Sequence, residues 1–215
     1  MIALSTAYKQ ALVAVEIDGE RAFRSLDANC KHSENLLLTL DEALGSCNKT
    51  LKENDVFAVV IGPGSFTGVR IASALVKGLV AGENKKNILP ITTFELMAYS
   101  YIKQFAPKED FACIINGLSG NYFVCTFNCQ GEIISCPQVL DKTGLDALSC
   151  LKIGLSEENL GDEQVQPTAQ HLLDLANAKL QTNALICGAE LVPIYMRKSQ
   201  AEVSLEEKEK NQKSV

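Results

Sequence analysis

The apolar positions of this chain change period along its length, and those changes mark out its elements. Residues 1–4 and 11–17 are short apolar runs, Asp18-Gly19 is a favoured two-residue hairpin turn, and 20–26 alternates in part, so the chain opens as a three-stranded meander. From 33 to 47, Leu36, Leu37, Leu40, Ala43 and Leu44 recur at helical spacing and define a buried stripe, while Leu38 points to the opposite side. Residues 56–61 read as a buried strand, 67–82 as a helix of small residues, 88–91 as a short strand and 94–105 as a further helix. The order is βββαβαβα.

The second half begins the same way. Residues 111–116 and 122–128 read as strands, Gln130-Gly131 as a turn and 132–136 as a third strand. Laying Gly131 over Gly19 brings Phe123 to Phe127 over Ala11 to Val15, so the meander is duplicated. Behind it the match fades to weak helices at 144–151 and 168–180 and a strand at 184–187. The expected architecture is α/β, with a complete first lobe over 1–106, a reduced second lobe over 107–200 and a charged tail over 201–215. That tail contains Glu206-Glu207-Lys208-Glu209-Lys210 and is too poor in apolar residues to pack. A duplicated βββαβα unit is similar to the ribonuclease H-like lobes of the actin-like (ASKHA) group, in which phosphates sit between the lobes and acidic strand ends organise magnesium.

Composition narrows the function classes. With 215 residues and 47% apolar content the chain fills a real core, and its longest apolar runs are too short or too interrupted to span a bilayer or serve as an export signal. A soluble, cytoplasmic protein is expected. The net charge of −6, with scattered Lys and Arg, disfavours general polyanion binding. The eight cysteines lie mostly in apolar segments without a CxxC pair, which suits buried reduced thiols.

The segment Gly62-Pro63-Gly64-Ser65-Phe66-Thr67-Gly68-Val69-Arg70 lies between a strand and a helix, where free backbone N–H groups can cradle a phosphate. It lacks the Lys-Ser/Thr pair of a P-loop, and its glycine spacing is one residue too long for a dinucleotide fingerprint. A tight turn with Ser65 or Thr67 as N-cap is the plainer reading. Behind the loop, Gly68, Ala72, Ser73, Ala74, Gly78, Ala81 and Gly82 leave the helix backbone almost bare. Glycine inside a helix costs about 1 kcal/mol against alanine, so such residues persist where another element approaches closely. That element is either another subunit or a neighbour within the domain.

Lys31-His32-Ser33-Glu34-Asn35-Leu36-Leu37, then Ile61 to Ile71, then Lys77-Gly78-Leu79, resemble the TsaB (YeaZ) family of bacterial proteins. Pro193-Ile194-Tyr195-Met196-Arg197 and Ala201-Glu202 resemble its closing pattern. The strong match covers the first half. The resemblance implies an actin-like fold and a role in forming N6-threonylcarbamoyladenosine at position 37 of tRNA. In that role the chain is a non-catalytic partner of the transferase TsaD, alongside the ATPase TsaE, with the substrate made by a separate synthase. The expected interface uses the helices beginning near Ser33 and Thr67, with His32, Asn35, Leu38, Thr67, Arg70, Ala74, Lys77 and Gly78 facing the partner. The same patch is expected to form a homodimer when TsaD is absent; direct tRNA contact is left open.

The residues independently weaken a catalytic reading. The first strand ends in Ser5, where the family shows aspartate, and its second-lobe counterpart is Asn116 or Gly117. Neither end offers a carboxylate to magnesium. No catalytic residue, metal or cofactor is therefore expected. His32 and His171 have no metal-site spacing, and Ser65 stands outside a GxSxG elbow. Glu157, Glu158, Asp162 and Glu163 form an acidic loop that is either solvated charge or a pair of hydrolase-like carboxylates. Arg70 and Lys77 share a helix face, as ordinary surface charge or as partners for an acidic surface. The alternative function is an actin-like small-molecule kinase or ATPase with unorthodox phosphate contacts at 62–67.

Overall fold

A computed structural model describes residues 1–27, 29–82, 85, 87–182 and 185–196 of the chain. The charged tail, Arg197, Ala201, Glu202 and Ala184 lie outside the described residues.

The opening meander is β1 (Ile2–Ser5), β2 (Ala11–Ile17) and β3 (Glu20–Leu26), followed by α1 (His32–Ser46), β4 (Phe57–Val60), α2 (Phe66–Leu79), β5 (Ile88–Ile91) and α3 (Thr93–Phe105). The second half repeats it with β6 (Phe111–Leu118), β7 (Asn121–Phe127), β8 (Ile133–Asp141), α4 (Lys142–Asp146), β9 (Leu151–Leu155), β10 (Glu163–Val165) and α5 (Ala169–Leu180). The two sheets have the same design. One runs β3-β2-β1-β4-β5 and the other, read from β8, runs β8-β7-β6-β9-β10, each with two antiparallel pairings followed by two parallel ones. The duplicated actin-like fold expected from the meander is the fold observed.

The central strands are apolar without interruption because both faces are covered. In β2, Ala11, Val13, Val15 and Ile17 enter the core beneath α1 and α2, whereas Leu12 and Ala14 enter a second core on the other side. That second core is shared by the lobes: α5, late in the chain, packs on β1, β2, β3 and β5, while α3 packs on β6 and β10. The layers therefore run α1 and α2, first sheet, α3 and α5, second sheet, and finally the small α4 over Ala112, Ile114 and Val124.

Several expectations need correction. Leu37 is 50% exposed, because the buried stripe of α1 is Leu36, Thr39, Leu40, Ala43 and Leu44. The helix expected over 144–151 is instead the single turn α4, and β9 begins where that helix was to end. The strand expected at 132–136 runs on to Asp141; it is an edge strand with mostly exposed side chains, so it lacks a buried apolar period. β10 was unforeseen. At 184–187 the described residues form only an isolated bridge, Ile186 to Ile88. In the second lobe, α4 stands where the first has α1, and a turn between β9 and β10 stands where it has α2. The reduction thus falls on the outer helical layer.

Candidate functional site: an outer helical face and an interlobe cleft

The glycine-rich loop is occupied by the protein's own backbone. A Cβ on Gly64 would stand 2.3 Å from the Ala7 carbonyl oxygen, and one on Gly68 would stand 2.0 Å from that of Thr6. Ser65 N–H donates to the Ala7 carbonyl at 2.7 Å. The Thr6 hydroxyl donates to the Gly68 carbonyl at 2.6 Å and accepts the Ala72 N–H at 3.1 Å, so it is wedged into the first turns of α2. Gly62 has φ +106°, and its carbonyl accepts from Thr93 N–H. Pro63 is buried beside it. Ser65 is the N-cap, its side chain accepting the Gly68 N–H at 3.1 Å; Thr67 lies inside the first turn.

The bareness of α2 therefore has two separate causes. Gly68, Ala72 and Ser73 face inward, and at Gly68 the close neighbour is the turn after β1. Gly82 lies beyond the helix, with φ +86°. The outward side carries Thr67, Arg70, Ala74, Lys77 and Gly78, all exposed, and a Cβ on Gly78 would meet nothing within 4 Å. Beside it, α1 turns Leu37 and Leu38, 50% and 61% exposed, away from the sheet. Asn35 is half-buried and its side-chain amide donates to the Lys31 carbonyl. His32 opens α1 with its Nε2 buried and unpartnered.

One part of this face was not foreseen. The segment after Ile186 crosses the first lobe, buries Leu191 and donates from Ile194 N–H to the Ile61 carbonyl. It thereby lays Tyr195 against Phe66, ring centroids 4.7 Å apart. Arg70 stacks its guanidinium 3.9 Å from the Phe66 centroid and donates from Nε to the Tyr195 hydroxyl at 2.8 Å. Arg70 is thus held by its own chain, whereas Lys77 projects into solvent. The likeness at 193–197 was the available signal, but no spacing rule places residue 195 beside residue 66.

Between the lobes lies a cleft of about 610 Å³, bordered by the start of α2 and by the turn following β9. Ser5 is wholly buried and its Oγ serves its own turn, within 3.5 Å of Ala7 N–H. Asn116 lines the cleft; its N–H donates to Glu158 at 2.9 Å and its Oδ1 accepts from Leu118 N–H. Each carboxylate of the acidic loop has a protein partner. Glu157 accepts the Lys9 N–H at 2.8 Å across the lobes, Asp162 accepts the Lys152 N–H, and Glu163 accepts the Tyr101 hydroxyl. His32 and His171 sit on opposite sides of the first sheet, on α1 and α5, and among the described residues no group of three metal-ligating side chains comes together.

Burial raises the Glu158 carboxyl above its ordinary range, opposed by the Asn116 N–H and reinforced by the Glu157 charge. The folded chain therefore keeps this proton to higher pH than the unfolded chain does, so ionised Glu158 lowers stability at neutral pH. The deficit vanishes as pH falls below the ordinary carboxyl range. Glu158→Gln keeps an oxygen for Asn116. In urea titrations it should be more stable than the parent at about pH 7, with the gap closing towards about pH 4; a gap that ignores pH would contradict this assignment.

The sequence profile of the family described as TsaD, tRNA N6-adenosine threonylcarbamoyltransferase, matches residues 26–149. The tRNA threonylcarbamoyladenosine biosynthesis protein TsaB of Haemophilus influenzae is 25% identical over 92% of this chain and 93% of its own length. The protein of the same name from Buchnera aphidicola subsp. Baizongia pistaciae is 33% identical over 34% of each chain. Among solved structures, an uncharacterized Pseudomonas aeruginosa protein described as similar to peptidase YEAZ superposes with a TM-score of 0.76 at 23% identity, covering 91% of this chain and 98% of its own. YeaZ from the same organism superposes at 0.73 and 21% identity, covering 90% and 98%. The chain belongs to the family described by the TsaD profile, and along nearly its whole length it is similar to the TsaB (YeaZ) proteins.

Proposed function

We propose that this chain takes part in making N6-threonylcarbamoyladenosine at position 37 of tRNA as a non-catalytic subunit. It binds a TsaD-type transferase, together with a TsaE-type ATPase, through the outer face of α1 and α2, and the same face pairs two copies when the transferase is absent. The site of action is the cytoplasm. The observation that carries the reading is the outward side of α2, where Ala74 and Gly78 leave the backbone bare next to α1 with its exposed Leu37 and Leu38. A flat patch of small residues rimmed by apolar side chains and flanked by Lys77 suits close packing by another subunit. The uncharged strand ends, Ser5 and Asn116, support a subunit without magnesium-dependent chemistry of its own.

Reconstitution tests this directly. Transferase, ATPase, threonylcarbamoyl donor and unmodified tRNA should yield modified adenosine only when this chain is added. The chain alone with magnesium and ATP should show no turnover. Full modification in its absence would overturn the proposal, and robust ATP hydrolysis by the pure chain would favour an actin-like kinase or ATPase.

A further inference from the structure

The interlobe cleft holds polar groups that a docking role for the outer face leaves unused. The fourteen-residue α2 begins at its edge, with Ser65, Phe66 and Thr67 among the lining residues, so the positive end of the helix dipole and its first N–H groups border the cavity. Thr93 lies at the cleft floor, wholly buried, and its Oγ1 has no hydrogen-bond partner. The Tyr8 ring is buried beside it, with its hydroxyl turned to Ser5. A buried hydroxyl without a partner is uncommon, and one bordering a cavity at a helix N-terminus points to an acceptor that arrives from outside.

The second-lobe wall has the opposite character. Glu157 and Glu158 line it and accept from backbone N–H groups, while the Lys9 ammonium donates at 3.4 Å to the Glu157 carbonyl and acts on the Glu158 charge without bonding it. Each carboxylate retains lone pairs. Between the two ends the lining is apolar, from Ile115, Phe123 and Leu155. A polyanion would bring several negative charges beside two carboxylates that the single Lys9 ammonium only partly offsets, and a simple carboxylate would add a third. A ligand carrying both charges at the two ends of an apolar body satisfies both walls.

We propose that the cleft binds a small zwitterion of the amino-acid or short-peptide class. Its carboxylate lies at the α2 N-terminus with the Thr93 hydroxyl, its ammonium against Glu157 and Glu158, and its apolar body on Ile115, Phe123 and Leu155. This site is distinct from the outer side of α2 and stands independently of the docking proposal.

The test is titration of the full chain with L-leucine and L-leucyl-L-leucine, followed by heteronuclear NMR, with N-acetyl-L-leucine, L-leucinamide and magnesium ATP as comparisons. Saturable binding of at least one zwitterion is expected, with each blocked form at least about tenfold weaker through loss of one charge-assisted contact. Glu158→Gln should weaken the zwitterion about tenfold while leaving N-acetyl-L-leucine unchanged, and Thr93→Val should weaken both ligands, because both carry the carboxylate. The proposal fails if neither zwitterion shows saturable shifts up to about 10 mM, if the blocked forms bind equally well, or if magnesium ATP binds more tightly than either.

Discussion

Ala74→Arg should abolish capture of a TsaD-type transferase while leaving this chain folded. Ala74 is exposed near the middle of α2 and arginine is nearly as good a helix former as alanine, so the unfolding midpoint should stay within about 0.5 kcal/mol of the parent's stability. In a complex where another subunit lies flush on this face, the same guanidinium would be desolvated against a surface shaped for a methyl group. A loss of at least about a hundredfold in affinity is expected, or about 2.7 kcal/mol. Gly78→Arg should act alike, and Gly78→Ala should separate fold from docking, since its new methyl meets open space within the chain. Co-purification with the transferase, run beside thermal unfolding, reads both properties. Retention of the complex by a folded Ala74→Arg protein would place the interface elsewhere.

Gly68→Ala should be the most damaging single methyl in the first lobe. The added Cβ would stand 2.0 Å from the Thr6 carbonyl oxygen, a backbone atom pinned between β1 and the glycine loop, so there is no flexible side chain to give way. The nearby Thr6 hydroxyl, bonded to the Gly68 carbonyl and the Ala72 N–H, leaves α2 little freedom to slide outward. Overpacking of this severity should cost at least about 3 kcal/mol. Gly78→Ala, ten residues along the same helix, should instead gain up to about 1 kcal/mol, because only the helix-propensity change operates there. Equilibrium urea unfolding of the two variants measures the contrast; a mild effect at Gly68, or one of the same sign at both glycines, would contradict the close approach described above.

These two glycines show where reading the chain works and where it stops. The duplicated meander was legible because its signals are local: short, nearly continuous apolar runs in β2 and β7, each followed by a turn at Asp18-Gly19 or Gln130-Gly131. The outer helices were legible for the same reason, apart from Leu37, which fits a helical stripe by spacing but falls outside the narrow arc that meets the first sheet. β8 and β10 resisted reading, the first because an exposed edge strand carries no buried alternation and the second because three residues carry too little pattern. The site divides in the same way. Ala74, Gly78, Arg70 and Lys77 were recognised as a surface of α2, yet Tyr195 joins them only because the segment after Ile186 folds back over the first lobe.

The sequence by itself determined the lobe pattern, a cap at Ser65 or Thr67, the bare α2 and the uncharged residues Ser5 and Asn116, since each depends on neighbours within a few residues. Tertiary structure alone decided which bare positions are spent inside the chain and which face outward, that α3 and α5 sit between the sheets, and that Glu157 and Glu158 border the cleft. The physical reason is that helical and strand periods fix only which residues share a face. What covers that face is set by contacts between segments far apart in the chain, such as Thr6 with Gly68 or Lys9 with Glu157.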